Sequence, residues 1–236
     1  MTKDKWIPLD EALDQLENNQ QYQEGLRRAN AQEEENLRRY HAAAEGLLAD
    51  LSAAGFNVSN MRELRQVGDK RAIPILVAWL PRVDYLSLKQ DMLNALGNRW
   101  ARPHAARPLI DAFRSADPAT DPDWGVRWAA GNSLMYVADE SVVDDLVSIA
   151  RDQRHGGTRA LAVAALGNMR KAREKALPVL LEQLDDDNDS VRVGAIMGLG
   201  KLKAPEAWPA LERLLNDPNP EVRRRAKQAL NRLPAA

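Results

Sequence analysis

Asp189-Ser190-Val191-Arg192-Val193-Gly194-Ala195-Ile196-Met197-Gly198-Leu199-Gly200 is the clearest copy of a helical phrase that recurs five times along the chain. Its mark is a basic residue seven positions before a leucine. Working outward, the same pairing appears as Lys89 with Leu96, Arg127 with Leu134, Arg159 with Leu166 and Arg223 with Leu230. The leucines are 38, 32, 33 and 31 residues apart, a period that signals stacked supersecondary units.

Upstream of each copy lies a second apolar helix, opened in four of the five by Pro74, Pro108, Pro178 or Pro209. Proline suits a first helical turn, where its missing N–H would have had no intrahelical partner. Leu76, Ile110, Leu146, Leu180 and Leu211 hold the equivalent apolar position two residues later, with Asp144 replacing proline in the middle unit. Each unit is therefore helix, turn, helix. One such pair cannot cover both of its apolar faces, so neighbours must stack into a continuous core.

The stretches Val191-Arg192 to Leu199-Gly200, Pro205-Glu206-Ala207-Trp208-Pro209-Ala210-Leu211 and Asp217-Pro218-Asn219-Pro220-Glu221-Val222-Arg223 closely resemble the short HEAT-like repeats of bacterial scaffold proteins. The same repeat type occurs in phycobilin lyase subunits. The resemblance covers about residues 70–233 and implies an all-α fold, a right-handed α-solenoid of five HEAT-like helix pairs. It implies much less about function, because a superhelical scaffold hosts many tasks.

The 236 residues permit one or two domains. Without cysteine, disulfides, thiolate metal sites and cysteine nucleophiles are excluded together. No apolar run reaches the roughly 18 residues of a membrane span, and Met1-Thr2-Lys3-Asp4-Lys5-Trp6 is followed by no signal-peptide core. The chain is expected to be cytoplasmic, with no membrane partner. Residues 1–60 carry 6 basic and 11 acidic side chains and the remainder 27 and 23, so the array is only mildly basic. That disfavours nucleic acid, whose binders concentrate positive charge.

Residues 1–69 are expected to form a helical N-terminal cap, and residues 70–236 the repeat array. The cap begins with an amphipathic helix over residues 8–19, opened by Pro8, with Leu9, Ala12, Leu13 and Leu16 on one side. A longer helix over about 21–54 follows, with Glu24/Arg28, Glu34/Arg38 and Glu35/Arg39 at i,i+4. Gly55 ends it, Ser59 is expected to cap a short helix over residues 60–67, and Gly68 closes that one. Terminal units of solenoids need a polar outer side. The competing role for these residues is an autoinhibitory arm across the array.

Turns inside the pairs are acidic, as at Asp117, Asp121 and Asp123, at Asp185 to Asp189, and at Asp217 and Glu221. Those between pairs are often basic, as at Arg99 and Arg102, at Arg170 to Lys175, and at Lys201 and Lys203. Acids at helix N-termini and bases at C-termini complement the helix dipole; the arrangement also makes one ridge acidic and the other basic, and the basic ridge offers a docking place for an acidic protein or a phosphate. The recurrent basic residue is expected to form a ladder with acidic turn residues of neighbouring repeats.

Nothing in the sequence calls for a catalytic residue, a metal ligand or a cofactor. His41, His104 and His155 have no metal-site spacing. His155, beside Gly156-Gly157, is expected to be an exposed loop residue, and His104 to lie in a basic aromatic corner with Arg99, Trp100, Arg102 and Arg107. The string Gly194 to Lys201 superficially resembles a phosphate loop but lies inside a helix and has Leu202 where Ser or Thr would meet magnesium.

If the second helices line the concave side, helical spacing exposes one stripe across the repeats. It runs through Gln90 and Asn94; Trp128, Asn132 and Tyr136; Ala160, Ala164 and Asn168; Val193, Met197 and Lys201; and Arg224, Gln228 and Arg232. Trp124 lies one turn before Trp128, next to the loop Asp117 to Asp123 that lengthens this repeat. Trp128, Val193 and Met197 stand where Glu and Lys are usual, and such residues are enriched in interface cores. The alternative is that the loop folds back and buries Trp124 and Trp128. The sequence therefore points to a noncatalytic protein-interaction scaffold or adaptor that binds a peptide or helical segment of a protein partner. The alternatives are a nucleic-acid-binding HEAT-like protein, including a base-excision type, and an accessory lyase subunit.

Overall fold

The structure, a computed structural model, describes Leu9, residues 19–117, Ala119 and residues 121–233. The helix expected over residues 8–19 falls outside these apart from Leu9 and Asn19. The chain divides into two compact units, Met1–Glu45 and Gly46–Ala236.

Of the first unit, the structure describes mainly the start of helix α1 (Gln20–Ala53). It is largely solvated, with Tyr22, Leu26 and Leu37 all exposed. Glu24 meets Arg28 at 3.8 Å as the spacing predicts, but Arg38 pairs with Glu35 at i,i+3 rather than with Glu34. Either partner lies within reach on a helix surface.

The second unit begins with the last two turns of α1, where Leu47 and Leu51 are buried. Gly55, at φ 89°, ends that helix in the left-handed region glycine tolerates. Helix α2 (Met61–Val67) buries Met61 and Leu64. Its N-cap is Asn60 rather than Ser59: the Asn60 side chain accepts the Glu63 N–H, and the Glu63 carboxylate accepts the Ser59 N–H and hydroxyl. This reciprocal arrangement is a capping box displaced by one residue. Gly68 closes the helix at φ 67°, as expected.

Five helix pairs follow: α3 (Ile73–Trp79) with α4 (Leu86–Leu96), α5 (Ala106–Ser115) with α6 (Gly125–Val137), α7 (Val143–Arg151) with α8 (Arg159–Leu166), α9 (Arg173–Glu182) with α10 (Asp189–Leu202), and α11 (Trp208–Arg213) with α12 (Pro220–Leu230). All described secondary structure is helical, and the array is an all-α solenoid. Pro74 and Pro209 occupy the second position of their helices, and Pro108 the third. Pro178 departs from the expectation. Helix α9 begins at Arg173, so this proline lies inside it.

Four of the five marker leucines lie on the packed side of the second helices, and Leu230, in the last helix, is half-buried. Leu96, Leu134, Leu166 and Leu199 are fully buried. Second helices pack successively on one another, α4 on α6, α6 on α8, α8 on α10 and α10 on α12. Small residues permit the close approach. A Cβ on Gly194 would lie 2.3 Å from the Ala160 carbonyl oxygen, and one on Gly167 would lie 2.6 Å from that of Gly198. Gly194 and Gly198 of the string that resembles a phosphate loop are thus helix contacts, while Gly200 has open space around it.

The expected ladder forms where a carboxylate stands within reach. Arg159 pairs with Asp186 at 2.7 Å and Arg192 with Asp217 at 2.8 Å, each reaching the next turn along. Burial pushes the Asp217 carboxyl up, but hydrogen bonds from Arg192 and the Asn219 N–H outweigh it and hold the pKa below the usual value. Arg127 and Arg223 instead donate to backbone carbonyls, at Phe113 and Ala116 and at Asp217 and Pro218.

Candidate functional site

The second helices α6, α8 and α10 pack side by side and present Asn132 and Met135, Ala160 and Ala164, and Val193 and Met197 to one surface. The result is a groove of about 470 Å³ whose floor is Ala160, Ala164 and Gly194. Asp189, Asn219 and Glu221 border it at the N-terminal ends of α10 and α12.

Trp128, one turn before the groove-lining Asn132 on α6, has 55% of its surface exposed, and Tyr136, two turns along the same face of α6, has 51%. Both lie in a helix whose remaining positions are mostly buried. The inserted loop therefore does not bury Trp128. Asn132, Val193 and Met197 are half-buried and line the groove itself.

The side-chain amides of Gln90, Asn94, Asn132 and Gln228 make no hydrogen bond among the described residues, which leaves donors and acceptors for an incoming backbone. Asn168 differs, since its amide donates to the Met135 carbonyl at 3.1 Å. Arg224 is engaged by Glu221.

Trp124 lies elsewhere. Its backbone is left-handed (φ 55°) and outside helix α6, so the i,i+4 relation to Trp128 does not place the two rings on one face. The indole stacks on the Arg127 guanidinium, 3.9 Å away, and borders a different cavity, lined also by Arg114, Asp152 and His155. The loop's own role is structural. Buried Asp121 accepts the Val126 and Arg127 N–H groups and so caps α6.

His155 is not the exposed loop residue that the sequence predicts. Its side chain is only 14% exposed and packs edge-on against Phe113, with ring centroids 5.3 Å apart. Burial holds its pKa below the usual imidazole value, and Arg127 adds to this while Asp152 opposes it. The basic corner around His104 also disperses. Arg107 pairs with Asp145 at 2.7 Å, and Arg102 donates to the Tyr136 carbonyl.

Met135, absent from the expected stripe, is part of the groove. It follows Trp128 at i+7 and Asn132 at i+3, a signal readable from helical spacing. Among the described residues no group of three or more His, Asp and Glu side chains could hold a metal ion, and no helix is long and apolar enough to cross a membrane.

A family model for HEAT repeats matches residues 106–192 and 177–235. The chain belongs to the HEAT-repeat family. Among solved structures, this HEAT-repeat chain is similar to a chain of the CpcE–CpcF complex of phycocyanin lyase from Nostoc sp. PCC7120, at 25% identity and a TM-score of 0.50. That match covers 68% of this chain and 99% of the other. It also matches a designed armadillo repeat protein solved in complex with the peptide (KR)4, at 17% identity and a TM-score of 0.49, covering 74% and 91% of the two chains. No curated protein matches the HEAT-repeat chain by sequence.

Proposed function

We propose that this HEAT-repeat array is a noncatalytic protein-interaction scaffold or adaptor, and that its inner groove receives a peptide or helical segment of a partner protein. The carrying observation is the exposure of Trp128 beside an apolar channel with a small-residue floor. Helix-in-groove recognition needs apolar anchors at the centre, while aromatic side chains that lose their water dominate binding energy. Free amides at Gln90, Asn94, Asn132 and Gln228 would pair with the partner's backbone.

Nucleic acid fits this groove poorly, because its floor is apolar and Asp189 and Glu221 stand at its border. A second reading, an accessory lyase subunit, draws on the likeness to the CpcE–CpcF complex. A tetrapyrrole carried by the purified protein would give visible absorbance and favour it. In this account residues 1–69 act as the cap of the array.

Photo-crosslinking tests the reading. A benzophenone amino acid at Trp128 should capture a partner protein in extract from the source cell, whereas the same group at Ser148, on first-row helix α7, should not. Capture at Ser148 alone would overturn the groove assignment.

A further inference from the structure

The C-terminal ends of the second helices carry an unbalanced cluster of positive charge. Arg99 and Arg102 follow α4, Arg170 and Lys171 follow α8, and Lys201 lies in the last turn of α10. They surround a basin of about 450 Å³ that also contains Tyr136, Asp139 and Glu140.

Helix dipoles account for part of this. The last carbonyls of α6 need donors, and Lys201 Nζ donates to Met135 O at 2.7 Å while Arg102 donates to Tyr136 O. Arg99, Arg170 and Lys171 remain. Their side chains make no ion pair or hydrogen bond among the described residues. The nearby carboxylates are occupied, Asp139 in capping Ser141 and Glu140 in accepting the Lys171 backbone N–H.

Several cations elsewhere on the array are paired one to one, as in Lys175 with Asp144, Arg151 with Glu182, and Arg173 with Glu206. The Lys201 ammonium is held below its ordinary pKa by burial and by the repulsion of Arg102, Arg99 and Arg170. Unmet positive charge has thus been gathered from three repeats into one concavity.

The basin lies next to the groove along α10: Val193 and Met197 line the groove and Lys201, one turn on, lines the basin. The three follow one another at i,i+4,i+8, so about 12 Å of helix rise separates the backbone of Val193 from that of Lys201. We propose that the basin receives the carboxylates of an acidic stretch in the protein segment that occupies the groove. The proposal rests on the groove reading and specifies the partner: apolar anchors, then Asp or Glu about 12 Å farther along. That is eight residues on in a helix or about four in an extended strand. Asp139 and Glu140 cap the capacity of the basin at a few carboxylates and oppose a densely charged polyphosphate.

Hexaglutamate peptide is the direct probe, titrated into isotope-labelled protein while the side-chain N–H signals of the basin and of the paired arginines are followed by NMR. Saturable shifts at Arg99, Arg102 and Arg170, absent at Arg151 and Arg173, are expected. Arg99→Glu/Arg170→Glu, both at exposed positions, should weaken binding about tenfold or more. Equal shifts at Arg151 and Arg173, or none anywhere, would overturn the basin. Tighter binding of a dodecathymidine oligonucleotide than of hexaglutamate would overturn its assignment to a protein segment. Val193→Glu, two turns from Lys201, separates the two claims. It should leave hexaglutamate binding in place while abolishing the Trp128 crosslink, so a crosslink that survives Val193→Glu refutes the groove and leaves the basin standing.

Discussion

Removing the Arg159 side chain should cost the array more than any loss of a surface charge. Arg159 is 2% exposed and Asp186 carries a side chain 6% exposed, so the pair is withdrawn from water. The guanidinium donates to Asp186, to Gln183 Oε1 at 2.8 Å, to Gln153 Oε1 at 2.6 Å and to the Ala150 carbonyl at 3.1 Å. Arg159→Ala leaves a buried carboxylate whose remaining described donor is the Asn188 N–H, an orphaned Gln183 amide and a void. Breaking a buried pair from one side costs about 3–5 kcal/mol, a large part of the roughly 5–15 kcal/mol that holds an ordinary domain together. The exposed pair Arg151–Glu182, with side chains 52% and 48% exposed, should lose at most about 1 kcal/mol on Arg151→Ala. Urea unfolding followed by both far-ultraviolet circular dichroism and tryptophan fluorescence is the assay, because a repeat array can unfold in parts and the two signals must then separate. A loss under about 1 kcal/mol for Arg159→Ala, or one no larger than for Arg151→Ala, would refute the claim that this ladder rung is a buried, mutually dependent network.

Leu199→Ala should cost about 2–5 kcal/mol in the same unfolding assay, since the side chain is fully buried at the marker position; a cost below 1 would contradict the repeat register. Gly194→Val should destabilise by about 1–3 kcal/mol through collision with the Ala160 backbone. Gly200→Ala has open space around it and should gain about 0.5–1 kcal/mol, both being read from thermal melts. The depressed pKa of His155 makes stability full above about 6.5, the usual imidazole value, and lost as pH falls from there through the folded-state value, because the unfolded chain takes the proton first. His155→Asn should flatten that slope in melts between pH 7.5 and 5, and an unchanged slope would assign it to other groups.

The repeat period was legible because each unit must present the same leucine to its neighbours, so packing writes itself into the sequence at a fixed interval. Helical spacing places the exposed face correctly at Trp128 and Tyr136, but it fails at Ala164, which is 4% exposed, and at Trp124, one residue before α6 begins. His155 was misread because its burial depends on Phe113, some forty residues earlier, and Gly156-Gly157 signals only the turn. Pro178 was misplaced because four polar or small residues precede the apolar part of α9 and hide its true start. The basic turns were legible as one ridge, but their gathering into a single basin was not. Lys201 meets the end of α6 across 66 residues, a juxtaposition set by the close packing of glycine-bearing helices.

The central claim is that the inner groove recognises a protein segment. Binding of the partner captured at Trp128 should be measured by fluorescence anisotropy against wild-type protein and against a Trp128→Ala/Met197→Glu variant of equal helicity and stability. The account predicts at least a tenfold loss of affinity, because an exposed aromatic anchor is removed and a charge is placed in the apolar channel. Equal affinity of the two proteins would contradict it and move the site away from the groove.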